Sequence, residues 1–175
     1  MRGSLVGLAV AALILAGSPA ARADAGDRAP HRLGFGAHYW KTLDQLKDDH
    51  KSIDDNGISW VGSYQYAFPW LKLEGDVEVF PKGYYGSTET TLAPQALLLL
   101  GDRADAGAGI GAVYARDLDK RLSDPIYTLR AGLDLELLPR LHLDVNANYY
   151  FAEWEDWDRF DTDTVTLGGQ VRLAF

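Results

Sequence analysis

Cysteine is absent from this 175-residue chain, and so is any apolar segment long enough for a membrane-spanning helix. Without cysteine, an exported chain cannot be held together by disulfide bonds and depends on its hydrogen-bonded structure. No segment of the chain approaches the roughly eighteen consecutive apolar residues that such a helix needs. The 17 lysines and arginines are outnumbered by 25 acidic residues, and the resulting formal net charge of −8 disfavours nucleic acid as a partner.

The first 23 residues have the composition of a secretory signal peptide. Arg2 precedes an apolar run from Leu5 to Ala16, and small residues follow up to Ala23. Because the run is too short to cross a bilayer as a helix, cleavage after Ala23 or Ala25 is predicted, with a retained anchor as the alternative. Cleavage after Ala23 leaves 152 residues, enough for one domain, and removing two arginines changes the net charge from −8 to −10.

Strict alternation of apolar and polar side chains characterises the end of the chain. Every second residue from Val165 to Phe175 is apolar or glycine, and the segment from Leu141 to Phe151 repeats the pattern. A period of two predicts extended strands with one apolar face. Hydrophobic residues make up 47% of the chain, and their alternation without a helical span is typical of a transmembrane β-barrel.

Eight strands of this kind are predicted, at residues 33–43, 58–68, 70–81, 90–101, 106–118, 126–138, 141–151 and 164–175. The long connections are expected outside the cell, at residues 44–57, 82–89, 119–125 and 153–163. The short ones are expected in the periplasm, at Pro69, residues 102–105 and residues 139–140. Residues 24–32 are then a periplasmic segment and residues 33–175 the barrel. Pro94 predicts a bulge in strand four, because proline cannot donate to the ladder.

Aromatic residues concentrate near the predicted strand ends, where they favour two interfacial belts. The outer belt is predicted to contain Tyr39, Trp40, Trp60, Tyr114, Tyr127 and residues 149–154, and the inner belt Tyr66, Phe68, Trp70 and Phe175.

Taken together, these features resemble the small eight-stranded outer-membrane barrels of the OmpA/OmpX type. The motif-like part is Val171-x-Leu173-x-Phe175, which is similar to the C-terminal signal read by the barrel-assembly machinery, although Gln170 stands where that signal usually has glycine. The resemblance implies an all-β, eight-stranded antiparallel up-and-down transmembrane β-barrel in the outer membrane. It also implies a monomer that contacts outer-membrane lipids, lipopolysaccharide and, through Phe175, that machinery. A soluble lipocalin-like barrel, with its apolar face inward, is the alternative fold.

The interior of an eight-stranded barrel is just wide enough to be filled by side chains. Nine charged residues alternate onto the predicted inner face: Lys72, Glu74, Asp76, Glu78, Arg130, Asp134, Glu136, Asp144 and Arg172. Because unpaired charge away from water is costly, a salt-bridged plug in a structural or surface-interaction protein is predicted. A small cation-preferring pore is the alternative, since rings of carboxylates select cations.

One group of inward residues has the composition of a catalytic site. Counting across the predicted turns brings His38 beside Ser63, with Glu74 or Asp76 on the next strand. A serine, histidine and carboxylate within hydrogen-bond reach can activate a nucleophile, which makes a lipid-modifying enzyme a further alternative. No oxyanion donor is evident, and the His-x-Ser pairing of lipid A deacylases is missing at His142. The prediction is therefore no enzyme, no catalytic residues and no cofactor.

Three other features have both a functional and a structural interpretation. Acidic residues and one histidine in the first and last long loops could bind Ca²⁺ or Mg²⁺ or simply be solvated: Asp48, Asp49, His50, Asp54, Asp55, Asp156, Asp158, Asp161 and Asp163. Trp154, Trp157 and Phe160 could form an adhesive patch, although anchoring at the membrane interface explains Trp154 equally well. Gly107, Gly109 and Gly111 either leave space for an apolar ligand beside Leu97 and Leu99 or accommodate the bulk of Trp40.

Overall fold

The computed structural model describes residues 29–42, 56–81, 84, 87–116, 122–152 and 164–175. Eight antiparallel strands pair in sequence order, and the last pairs with the first to close one barrel. They are β1 (His31–Thr42), β2 (Asn56–Ala67), β3 (Leu71–Phe80), β4 (Thr91–Gly101), β5 (Ala104–Gly111), β6 (Ile126–Leu138), β7 (Leu141–Phe151) and β8 (Thr164–Ala174). The predicted eight-stranded up-and-down barrel is confirmed. The predicted signal peptide, residues 1–23, lies outside the described residues.

The two faces of the wall differ as the alternation predicts. Along β3, Lys72 and Glu78 point inward with 1% and 0% of their surface exposed, whereas Leu73 and Val77 point outward. The outward set forms a broad apolar band that includes Leu33, Phe35, Trp60, Leu98, Leu133, Leu167, Val171 and Leu173. A band of this size is suited to lipid and not to water, so the lipocalin-like alternative is wrong.

Connection lengths follow the predicted alternation between short and long. β2 joins β3, β4 joins β5, and β6 joins β7 through two or three residues each, and these turns share one end of the barrel. The other end carries the long connections, so it is assigned to the extracellular side. Within the described residues, no helix is long and apolar enough to span a bilayer.

Most strand ends lie within two residues of the predicted ones, and two of the differences change which residues form the wall. β1 begins at His31, inside the segment predicted to be periplasmic, so that Arg32 belongs to the wall. β5 ends at Gly111, well before residue 118, although Leu92 and Tyr114 form a further bridge.

The predicted bulge at Pro94 is wrong. β3 and β4 keep one register past Pro94, which lies opposite Val77. On the other side, the continuous β4–β5 pairing ends at Gln95 and Gly111, and beyond it the carbonyl of Pro94 accepts a bond from Ala112 N at 3.2 Å. The strand thus tolerates a proline where its ladder is already ending. Among the described pairs, the register shift lies instead in β6, between Glu136 and Leu138.

Several glycines lie where a side chain would clash with the neighbouring strand. A Cβ on Gly36 would lie 2.6 Å from Gln170 Cα and also strike the carbonyl of Gly169, at the β1–β8 closure. A Cβ on Gly109 would lie 2.7 Å from Ala96 O. Only a residue without a side chain permits these distances, so the glycines help the sheet to coil tightly enough to close.

Candidate functional site

Polar and charged side chains from all eight strands meet inside the barrel, and this lumen is the candidate functional site. The inward residues of β3 run from its periplasmic to its extracellular end in the order Lys72, Glu74, Asp76, Glu78 and Phe80. Four of them lie at the centre of successive layers of contacts: the Lys72 layer, the Glu74 layer, the Glu78 layer and, around Phe80, the aromatic layer.

The Lys72 layer lies nearest the periplasm. Lys72 Nζ is 2.5 Å from Asp105 Oδ2 and 3.5 Å from Asp134 Oδ2. Asp134 also pairs with Arg32 and accepts a contact of 2.8 Å from His142 Nδ1. Two carboxylates, those of Asp105 and Asp134, therefore meet Lys72, Arg32 and a histidine.

The Glu74 layer spans the middle of the lumen. Glu74 Oε1 accepts hydrogen bonds from Arg130 Nη1 at 2.8 Å and from Arg172 Nη2 at 2.7 Å, while Glu74 Oε2 accepts one from Gln65 Nε2. Arg130 Nη2 continues to Asp144 Oδ1 at 2.7 Å. The side chains of Glu74, Arg130, Arg172 and Asp144 are at most 1% exposed. Buried charges of both signs are thus balanced across strands β3, β6, β7 and β8.

The Glu78 layer is a hydrogen-bond network on the extracellular side of the centre. Glu78 Oε1 contacts His38 Nδ1 at 3.1 Å and accepts a hydrogen bond from Ser59 Oγ. Tyr150 donates its hydroxyl to Glu78 Oε2 at 2.7 Å and accepts one from Gln95 Nε2 at 3.1 Å. A single carboxylate therefore connects four strands.

The predicted neighbours His38 and Ser63 are not brought together. The β1–β2 register places Ser59 opposite His38, four residues from the expected partner. Ser63 does lie opposite Asp76, as predicted, but its hydroxyl donates to Gln170 Oε1 at 2.6 Å. The count along the chain paired Leu43 with Ile58, whereas the sheet pairs Lys41 with Asn56. Moving the centre of the turn by two residues moves every partner by four.

Acidic side chains outnumber basic ones inside the described part of the barrel. The buried carboxylates are Glu74, Asp76, Glu78, Asp105, Asp134 and Asp144, and the buried lysine and arginines are Arg32, Lys72, Arg130 and Arg172. The surplus lies toward the extracellular half, where Asp76 Oδ1 and His38 Nε2 are buried without a hydrogen-bond partner in the described chain. This half of the lumen therefore holds buried carboxyl groups without a matching lysine or arginine.

The structure corrects one predicted lumenal residue, Glu136, and adds two that the sequence prediction did not include, Arg32 and Asp105. Glu136 lies on the inward side of β6 by its position, but it is exposed at the periplasmic rim. Arg32 and Asp105 were missed because they were placed in a periplasmic segment and a turn. Extending the period of two by one or two residues at each strand end would have found both.

The aromatic layer closes the extracellular end of the polar contacts. Trp40, Phe80 and Tyr84 are buried, with the rings of Phe80 and Tyr84 stacked at 3.6 Å and Trp40 edge-on to both. Trp40 and Tyr150 were predicted in the outer belt, which is wrong, because both point into the lumen. Their inward direction follows from the same alternation that places His38 inside.

The glycines of β5 do not leave the predicted space for a ligand. A Cβ on Gly109 would lie 2.8 Å from Leu97 Cγ, and one on Gly111 would lie 2.8 Å from Gln95 Cβ, so β4 already occupies these positions. The bulk of Trp40 is accommodated over Gly57, whose Cβ would lie 2.8 Å from the indole nitrogen.

The predicted cation-binding and adhesive loop residues lie outside the described part of the chain. This applies to the acidic residues 48–55 and 156–163 and to Trp154, Trp157 and Phe160. Among the residues that the structure does describe, no cluster of three or more histidine or acidic side chains is arranged to hold a metal ion.

Comparison with known proteins finds likeness in structure and not in sequence. No family model matches the chain, and no curated protein matches it. Neisserial surface protein A superposes with a TM-score of 0.61 at 17% identity, over 85% of this chain and 99% of that one. The N-terminal β-barrel domain of Pseudomonas aeruginosa OprF gives 0.48 at 10% identity over 82% and 97%, and a de novo designed transmembrane β-barrel gives 0.46 at 14% over 84% and 98%.

The first of these likenesses establishes the fold alone, because its sequence identity is low. It agrees with the closed eight-stranded sheet, the lipid-suited outer band and the alternation of short and long connections. The chain is a small eight-stranded transmembrane β-barrel of the outer-membrane type.

Proposed function

We propose that this chain is an integral outer-membrane protein with a structural or surface-interaction role, whose polar lumen is closed and performs no catalysis. The observation that carries the proposal is the Glu74 layer, in which buried ion pairs join opposite sides of the interior. Ions that cross this layer would have to displace paired charges. The aromatic layer adds a second barrier of apolar rings.

Conductance in planar bilayers tests the closed lumen. Protein refolded in detergent, with folding verified by heat-modifiable migration, is expected to give no current steps over repeated insertions. A general porin inserted under the same conditions is the positive control for the assay. Reproducible current steps from the wild-type chain would contradict the proposal.

A small cation-preferring pore is the second candidate, because Asp76 adds a buried carboxylate oxygen without a partner to the acidic half of the lumen. If current steps are found, reversal potentials in asymmetric KCl decide whether the pore prefers cations. In that case Asp76→Asn should weaken the preference, whereas Asp124→Asn, at an exposed position, should not.

A lipid-modifying enzyme is the third candidate, and the contacts of Ser63 argue against it. Its hydroxyl donates to Gln170, and His38 is engaged with Glu78. Mass spectra of lipid A from cells with and without the gene are expected to be identical. A lipid A change that is lost in Ser63→Ala would overturn the assignment.

Proposed partners are the surrounding lipids, lipopolysaccharide and, through Phe175, the barrel-assembly machinery, with the barrel itself a monomer. Phe175 is 52% exposed, and its ring stacks on His31 at 5.7 Å. Deletion of Phe175 is expected to reduce folded barrel in cells while refolding in detergent persists. Equal loss in both settings would indicate a stability role alone.

A further inference from the structure

A cleft opens at the periplasmic rim, beside the end of β6. β5 begins at Ala104, opposite Leu133, and Asp134 N donates to Arg103 O at 2.6 Å. Beyond that bond β6 continues to Leu138 without β5 beside it. The resulting cleft, of about 400 Å³, lies between the β4–β5 turn and the projecting strand.

The lining of this rim cleft contains, among the residues that the structure describes, one unpaired cation, one unpaired anion and three leucines. Arg103 and Glu136 both line it, and neither side chain has a hydrogen bond or ion pair within the described chain. Leu135, Leu137 and Leu138 line it as well, with 46%, 53% and 61% of their surfaces exposed.

A third charged residue, Asp134, also lines the cleft but adds no free charge. Its carboxylate is engaged with Arg32, Lys72 and His142 on the lumenal side. The two charges left for a ligand are therefore those of Arg103 and Glu136.

We propose that the rim cleft binds one phospholipid whose headgroup carries a phosphate and a primary ammonium. The guanidinium of Arg103 receives the phosphate, since its planar set of donors matches phosphate oxygens. The carboxylate of Glu136 receives the ammonium, and the leucines cover the first part of the acyl chains.

The position of the cleft agrees with this occupant. The end with short turns faces the periplasm, where the leaflet around the barrel consists of phospholipids. A lipid that carries only a phosphate would meet Arg103 but would leave Glu136 without a partner. The site rests on the proposed membrane setting and does not depend on whether the lumen conducts.

Native mass spectrometry of the detergent-released full chain tests the proposal with dioleoyl lipids of three headgroups: ethanolamine, choline and glycerol. One ethanolamine lipid is expected to remain bound, with about fivefold tighter binding than the choline lipid. The choline headgroup has the same phosphate but no N–H donor for Glu136.

Three substitutions separate the two contacts. Arg103→Ala should weaken binding of all three lipids, whereas Glu136→Gln should abolish the difference between ethanolamine and choline. Arg116→Ala is the matched control, an exposed arginine at the extracellular side, and should change nothing. Each of these side chains is exposed, so heat-modifiable migration should be retained.

Equal binding of the three lipids, unaffected by Arg103→Ala, would overturn the proposal in favour of a nonspecific lipid annulus. A dimer that disappears on substitution of Glu136 would overturn it in favour of a second copy on the strand edge. A conducting barrel that still retains one ethanolamine lipid would refute the closed lumen and leave the lipid site intact.

Discussion

Glu74 is the residue on which the interior depends most. Its carboxylate, buried in the lumen, accepts hydrogen bonds from two arginines and one side-chain amide. Loss of its charge leaves the buried cations of Arg130 and Arg172 with only Asp144 to balance them. Lys72 is unaffected by such a change, because its carboxylates are Asp105 and Asp134.

Glu74→Gln is therefore expected to destabilise the barrel by about 3 kcal/mol, since removing one partner of a buried ion pair leaves an uncompensated charge. The measurement is the urea midpoint of the refolded protein in detergent. Glu136→Gln is the matched control at the exposed rim, with an expected change within about 0.5 kcal/mol. An unchanged midpoint for Glu74→Gln would refute the lumenal pairing.

Ser63 provides a smaller change in the same interior. Ser63→Ala removes the hydrogen bond to Gln170 Oε1 while leaving the strand intact. Because a typical net hydrogen bond contributes about 1 kcal/mol, a loss of that size is expected in the same urea titration. A loss several times larger would mean that the hydroxyl supports more than this one contact.

The direction of individual residues could be predicted from sequence, but their partners could not. Alternation alone places Lys72, Glu74, Glu78 and Arg130 inside. Which of them meet depends on strand stagger, and one register error moved the expected partner of His38 from Ser59 to Ser63. Long loops hide that stagger from a count along the chain.

Two glycines of the barrel wall differ in how closely the neighbouring strand approaches them. Gly36 has no space for a methyl group against Gly169 and Gln170, whereas Gly62, on the outer face of β2, has nothing within 4 Å of its Cβ position. The two glycines thus differ in their surroundings although both lie within regular strands.

Gly36→Ala is expected to cost about 1–3 kcal/mol, because overpacking forces the β1–β8 backbones apart. Gly62→Ala is the control, and it should be neutral or stabilising by up to about 1 kcal/mol. Urea midpoints and the folded fraction on unheated gels report both. Similar destabilisation by the two substitutions would show that the seam is not tight at Gly36.

Strand irregularities were predicted less well than strand identity. Pro94 suggested a bulge, yet the strand continues because the ladder with β5 is ending there. The observed shift, between Glu136 and Leu138, lies just before Pro139 in the part of β6 that extends beyond β5. Such a feature arises from the relative lengths of neighbouring strands, which a single segment does not record.

The whole molecule was the most predictable level. Eight segments with a period of two, joined by alternately long and short connections, allow few folds other than an up-and-down barrel. The four layers of the lumen follow from that fold once the register is known. They also separate an apolar exterior from a paired, polar interior, which is the central claim of this account.

Thiol labelling at two adjacent positions tests that claim most directly, since the chain has no cysteine of its own. Gly62→Cys faces outward and Ser63→Cys faces the buried interior. In refolded proteoliposomes, a lipid-soluble maleimide should label Gly62→Cys, while Ser63→Cys should react with neither that reagent nor a charged, water-soluble one until the barrel is unfolded. Rapid labelling of folded Ser63→Cys by the charged reagent would contradict the closed interior, and labelling of Ser63→Cys from the lipid would contradict the orientation of the wall.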